Sequence, residues 1–100
     1  MANVFELLEW EGFDWDEGNL IKKWEKHRVS ASECEQVFFN SPSIAGLDQK
    51  HSNREPRYYA LGVTDAQRKL FIASTVRKKL IRVISARDMS QKERKVFDKL

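Results

Sequence analysis

The chain has little of what most catalytic or secreted small proteins are built from: one cysteine, two histidines, two prolines and four glycines in 100 residues. A single cysteine, Cys34, excludes an internal disulfide and fits a reducing compartment. With only His27 and His51 beside it, zinc sites built on cysteine are excluded and no metal site is expected. There is no glycine-rich phosphate loop, no GxSxG and no HExxH, so no cofactor is expected either. No apolar run approaches the roughly 20 residues of a membrane span. The opening MANVFELLEWE has neither a basic n-region nor an apolar h-region, which predicts a soluble cytoplasmic protein without a signal peptide. Internal repeats and low-complexity tracts are also missing.

What is present is hydrophobic and charged. Apolar residues make up 41% of the chain and 11% is aromatic, enough for one modest core and too much for a disordered chain. The length predicts a single domain over residues 1–100. A net charge of +3 hides a division: Met1 to Glu55 holds 6 Lys/Arg against 11 Asp/Glu, and Pro56 to Leu100 holds 12 against 4. A basic second half suits either a polyanionic or acidic partner, or a solvated face with no partner.

The pattern along the chain predicts β-α-α-β-β-β-α, an α+β fold. Val4 to Trp10 alternates in part and is read as an N-terminal strand broken at Gly12. Asp16 to His27 reads as a helix with Asp16 as N-cap and Leu20, Ile21 and Trp24 as its apolar stripe. Ser30-Ala31-Ser32-Glu33 is a capping box that starts a second helix, with Cys34, Val37 and Phe38 facing inward and Asn40-Ser41-Pro42 ending it. The polar stretch from Ser43 to Pro56 is long for a structureless loop and allows a strand at Ile44 to Leu47. Arg57 to Val63, Lys69 to Val76 and Leu80 to Ala86 are rich in β-branched and aromatic residues and predict a three-stranded antiparallel meander. A second capping box, Ser90 to Glu93, opens a final helix whose apolar side is Val96, Phe97 and Leu100. Helices packed on one face of an antiparallel sheet follow from this order.

Arginine is the residue type that remains for chemistry. Arg57, Arg68, Arg77, Arg82 and Arg87 lie on or beside the three strands. Strict alternation in the last strand puts Leu80, Arg82, Ile84 and Ala86 on one side and Ile81, Val83, Ser85 and Arg87 on the other. Both sides are then apolar near the middle, which predicts a central strand buried on both faces. Arg82 in that setting needs an anion, either a carboxylate such as Glu55 or a bound phosphate. His51, in the polar loop, suits proton transfer or is a solvated loop residue. His27 falls at a helix C-terminus, where the dipole favours an imidazolium. Tyr58 and Tyr59 face opposite ways, so one of them is expected in the core and the other suits base stacking. Cys34 reads as core.

The ordered set Phe13-Asp14-Trp15-Asp16, Lys26-His27, Val29-Ser30, Val37-Phe38, His51-Ser52, Glu55-x-Arg57, Gly62, Thr75-x-Arg77, Ile81 to Arg87 (IRVISAR) and Glu93-Arg94 resembles the BrnT family of type II toxin–antitoxin ribonucleases. The resemblance runs from about Phe13 to Phe97 and is most specific at IRVISAR. It implies a compact fold like the RelE-type toxins, metal-independent cleavage of RNA and growth arrest. It implies a cognate DNA-binding antitoxin of the BrnA type, in a heterotetramer that contacts DNA only through the antitoxin. Carried over by position, Arg57 and Arg82 are expected to bind phosphate or act in catalysis, with His51 and Glu55 as proton-transfer candidates. Arg77, Arg87, Lys26, His27 and Ser85 are expected to contact RNA. The sequence departs from the family at Asn19, Lys23, Asp88 and Phe97. It departs again at Arg28, which stands where glycine is usual, a helix C′ position whose φ > 0 glycine adopts easily and arginine does not. Three functions are weighed: an RNA endonuclease, a non-catalytic basic module that docks an acidic protein or RNA, and a DNA-binding regulator. The last ranks lowest because no helix–turn–helix with a basic recognition helix is visible.

Overall fold

Five strands form one sheet in the order β1-β5-β4-β3-β2, in a computed structural model that describes residues 4–16, 27–42, 44–51 and 54–100. The strands are β1 (Gly12–Phe13), β2 (Ile44–Leu47), β3 (Tyr58–Val63), β4 (Lys69–Arg77) and β5 (Leu80–Asp88). The helices are α1 (Val4–Leu7), α2 (Ala31–Phe39) and α3 (Gln91–Asp98), with a 3-10 turn at Gln49–His51. The predicted helix over Asp16 to His27 lies outside the described residues for all but its two ends.

The expected meander is present: β3 pairs antiparallel with β4, and β4 with β5. The sheet as a whole is mixed, not antiparallel, because β1 runs parallel to β5 through Gly12 opposite Leu80 and Phe13 opposite Ile81. β2 adds the far edge, antiparallel to β3, where a strand was allowed at Ile44 to Leu47.

The N-terminal strand expected from Val4 is instead the short helix α1. Its partial alternation also satisfies a helical turn: Val4, Phe5 and Leu8 fall on one side, and all three pack on the core. Phe5 meets Phe38 and Tyr58 edge-on, with ring centroids 4.9 and 5.8 Å apart. Gly12, read as the break, belongs to a strand.

Both capping boxes form. Ser30 accepts from the Glu33 amide at 3.1 Å and Glu33 accepts from the Ser30 amide at 3.1 Å; Ser90 and Glu93 repeat this at 3.2 and 2.8 Å. Cys34, Val37 and Phe38 are buried as expected and lay α2 against Ala60, Leu70, Ile72, Val83 and Ala86. The approach is close at Gly62, where a Cβ would stand 2.8 Å from Cγ1 of Val37. α3 differs from expectation. None of its residues is buried, and Val96 and Leu100 are exposed. It is tied to the sheet by charge, through Lys69 to Asp98 at 2.7 Å and through Arg87 to Glu93.

Left-handed backbone without glycine occurs at four places among the described residues: Arg28, Ser41, Gln67 and the Lys78-Lys79 turn. The β4–β5 hairpin closes through Lys78 and Lys79, at φ 52° and 66°, a two-residue turn of the kind that favours Asn-Gly. Arg28 has φ 56°, the conformation expected for that C′ position.

Candidate functional site

β5 departs from strict alternation, and this decides where its arginines go. Thr75 pairs with Arg82 and Phe71 with Arg87, so β5 has one residue more than β4 between the two pairs. The register shifts opposite Ala73 and Ser74, and Ile84 is the extra residue. Before it, Ile81 and Val83 point into the core; after it, Ala86 does. Arg82, Ser85 and Arg87 therefore share the other face, with Thr75 and Arg77 of β4. The strand is internal, but one of its faces is not buried as expected: Ser85 is exposed and the Arg82 side chain is 34% exposed.

Tyr58 packs in the core, and Tyr59 joins Leu61 and Phe71 on this arginine-bearing face. The Tyr59 ring lies on Gly46, where a Cβ would stand 2.9 Å from its hydroxyl oxygen. Arg57 precedes β3, and its carbonyl accepts from the Asp48 amide at 2.7 Å.

Each of the three strand arginines faces a carboxylate. Arg77 grips Glu55 with two bonds of 2.7 Å. Arg82 reaches Asp16 at 3.0 Å and Asp14 at 3.5 Å, partners 66 and 68 residues away, in place of the suggested Glu55. Arg87 donates to both oxygens of Glu93 at 2.7 and 2.9 Å, and its guanidinium lies 4.3 Å over the Phe71 ring. The Arg77 guanidinium holds the Glu55 carboxyl below the usual carboxylate range, assisted by the charges of Arg57 and Arg82. Glu55 is therefore ionised at neutral pH. With both oxygens on Arg77 it is a weak proton acceptor and a firm anchor for that guanidinium.

The structure thus brings Arg77, Arg82, Arg87, Ser85 and Glu55 to one face, with the charge of Arg57 near enough to act on Glu55. His51 has its backbone in the 3-10 turn before β3, and its side chain lies outside the description, as does Lys26. His27 stands apart. Its carbonyl accepts from Arg68 at 3.3 Å, and its charge helps to lower the Asp88 pKa. Arg68 is structural: it binds Asp88 at 2.8 Å, Glu33 at 3.1 Å and the Arg28 carbonyl at 2.9 Å. Asp14 and Asp16 were not foreseen as partners of the site, although their spacing beside Trp15 placed both near the entry to the first predicted helix.

Between Asp48 and Glu93 the same face holds a hollow of about 320 Å³, lined also by Tyr59, Leu61 and Phe71. No group of His, Cys, Asp and Glu suited to a metal ion exists among the described residues, and no described helix is long and apolar enough to cross a membrane. Guanidinium groups converging on a sheet face with a hydroxyl and aromatic rings form a surface for phosphate and base.

No curated protein matches the chain. Residues 15–93 match the family model of the ribonuclease toxin BrnT of type II toxin–antitoxin systems, a span that holds every strand but β1 and every arginine of the face just described. The chain belongs to the BrnT family of ribonuclease toxins.

Proposed function

We propose that the arginine face is where this toxin binds and cuts RNA, as an endonuclease that needs no metal ion. The observation that carries this reading is the convergence of Arg77, Arg82, Ser85 and Arg87 on one face of β4 and β5. In the proposed reaction the ribose 2′-oxygen attacks the adjacent phosphorus, and the bond to the 5′-oxygen of the next nucleotide breaks. The products are a 2′,3′-cyclic phosphate and a 5′-hydroxyl. The nucleophile belongs to the substrate, so no activated water is required. A base removes the 2′-hydroxyl proton and an acid supplies one to the leaving oxygen. Arg57 and Arg82 take the charge that develops on the phosphorane oxygens, and Arg77 and Arg87 hold flanking phosphates. The carboxylates now on these arginines keep the guanidinium groups extended and are exchanged for phosphate when RNA arrives. Ser85 donates to a phosphate oxygen. Lys26 extends the contact along the RNA, and His51 is the proton-transfer candidate, with Glu55 able to take a proton only once phosphate has displaced it from Arg77.

A type II toxin is held by an antitoxin. The partner proposed here is a DNA-binding protein of the BrnA type, in a heterotetramer that touches DNA through the antitoxin alone. Both would act in the cytoplasm, where RNA is available. The test is cleavage of a defined RNA by the purified toxin in excess chelator, with the ends of the products identified. Cyclic phosphate ends in the presence of chelator support the reading. Absence of cleavage, or cleavage restored only by a divalent ion, refutes it.

A further inference from the structure

Thr75 lies among the arginines of this face, opposite Arg82 in the β4–β5 register and two positions before Arg77. It is 1% exposed. A buried hydroxyl is costly unless it is hydrogen-bonded, whereas valine would fill the same space and suit a strand without that cost. The Thr75 hydroxyl donates to the Pro56 carbonyl at 2.8 Å.

Thr75 and Arg77 thus grip two consecutive residues of the segment that leads into β3. Thr75 takes the carbonyl of Pro56, and Arg77 takes the carboxylate of Glu55. The following carbonyl, of Arg57, accepts from the Asp48 amide at 2.7 Å. Proline stiffens this grip. Its ring fixes its own φ, and it confines the residue before it to extended backbone, so little freedom remains between the held carbonyl and the Glu55 side chain. The two grips differ in permanence. The Arg77 and Glu55 side chains are 53% and 32% exposed, and a phosphate competes for the same guanidinium. The Thr75–Pro56 bond joins a buried hydroxyl to a neutral carbonyl and presents no charge for a phosphate to capture.

We infer that Thr75 is a positioning residue for RNA cleavage: its hold on Pro56 keeps the Glu55 carboxylate at the arginine face once a phosphate has taken Arg77. This rests on the RNA reading of that face and names the group that keeps a proton acceptor in place while the guanidinium beside it is engaged. The bond from Arg77 is the main cause that holds the Glu55 carboxyl below its usual range, so its loss makes the carboxylate a better acceptor for the 2′-hydroxyl proton. Proton transfer then depends on reach, within a hydrogen-bond length of the proton or through one water. Thr75 supplies that reach through the backbone and itself exchanges no proton with RNA.

The test is steady-state cleavage of a defined RNA by the whole protein as wild type, Thr75→Val and Thr75→Ser, each beside a urea melt. Valine keeps the shape and removes the donor; serine keeps the donor. Thr75→Val should lower kcat about 10- to 100-fold with KM within about twofold, the loss expected when an acceptor is misplaced but the phosphate contacts remain. Thr75→Ser should bring kcat back to within about threefold of wild type. A valine protein that does not fold is replaced by Thr75→Cys, whose weaker donor should also lower kcat at unchanged KM. Wild-type kcat in the variant without the hydroxyl, a rise in KM at unchanged kcat, or a serine variant as slow as the valine one overturns the positioning role and leaves the RNA reading standing. A wild type that cleaves no RNA overturns both.

Discussion

Arg82 and Arg87 project from the same face of β5, although they are five positions apart and an odd interval in a regular strand sets two side chains on opposite faces. The extra residue Ile84 reverses the alternation, and a face with three arginines results. The proposed RNA site depends on this irregularity. Arg82→Ala should therefore remove RNA cleavage while leaving the fold intact. Its ion pairs with Asp14 and Asp16 are about one-third to one-half exposed, and such pairs contribute about 0–1 kcal/mol. The check is cleavage rate beside a urea melt of the same preparation.

Lys78 and Lys79 hold the β4–β5 hairpin in left-handed backbone that disfavours both of them. Replacing the pair by Asn-Gly should stabilise the protein by about 1–2 kcal/mol. A urea melt should show a higher midpoint at unchanged slope.

The Ser74 hydroxyl is buried with no hydrogen-bond partner among the described residues. Ser74→Ala should raise stability by about 1 kcal/mol, since it removes a desolvated polar group and leaves little void. A fall in the unfolding midpoint would show that the hydroxyl has a partner.

Arg68 joins Asp88, Glu33 and the carbonyls of His27 and Arg28, and so ties the start of α2 to the end of β5. Its bond lowers the Asp88 pKa; for Glu33, burial pushes the carboxyl up, but the Ser30 amide and Arg68 together bring it below the usual range. Carboxyls depressed in the folded state stabilise it fully above their unfolded pKa values. That contribution is lost as pH falls through the folded values. Stability should therefore decline below about pH 5, and Arg68→Ala should flatten that decline while lowering stability at pH 7 by about 2 kcal/mol. Thermal melts of both proteins between pH 3 and 7 make the comparison.

The parts of the fold visible in the sequence are those with local causes. Ser30 with Glu33 and Ser90 with Glu93 mark two helix starts, because a capping box is written in four residues. The three long strands declare themselves by β-branched and aromatic content. Three other features were hidden because their causes are distant. β1 is two residues long and exists only because Leu80 and Ile81 offer an edge. The bulge at Ile84 falls on a β-branched residue that would suit a regular strand equally well, so the facing of Arg87 is reversed without any local mark. Arg82 does face an anion, although the doubly buried setting expected of it is not met, and nothing local distinguishes Glu55 from Asp14 and Asp16, which fold onto it from the other end of the chain. α3 has an apolar side in sequence, yet its attachment is through Glu93 and Asp98.

The most direct test of the central claim is growth after induced expression of wild type and Arg82→Ala, with RNA integrity followed on a gel. The account predicts that wild type arrests growth and degrades RNA, and that Arg82→Ala does neither while the purified variant remains folded. A wild type that leaves growth and RNA untouched, or an Arg82→Ala variant as toxic as wild type, would contradict it.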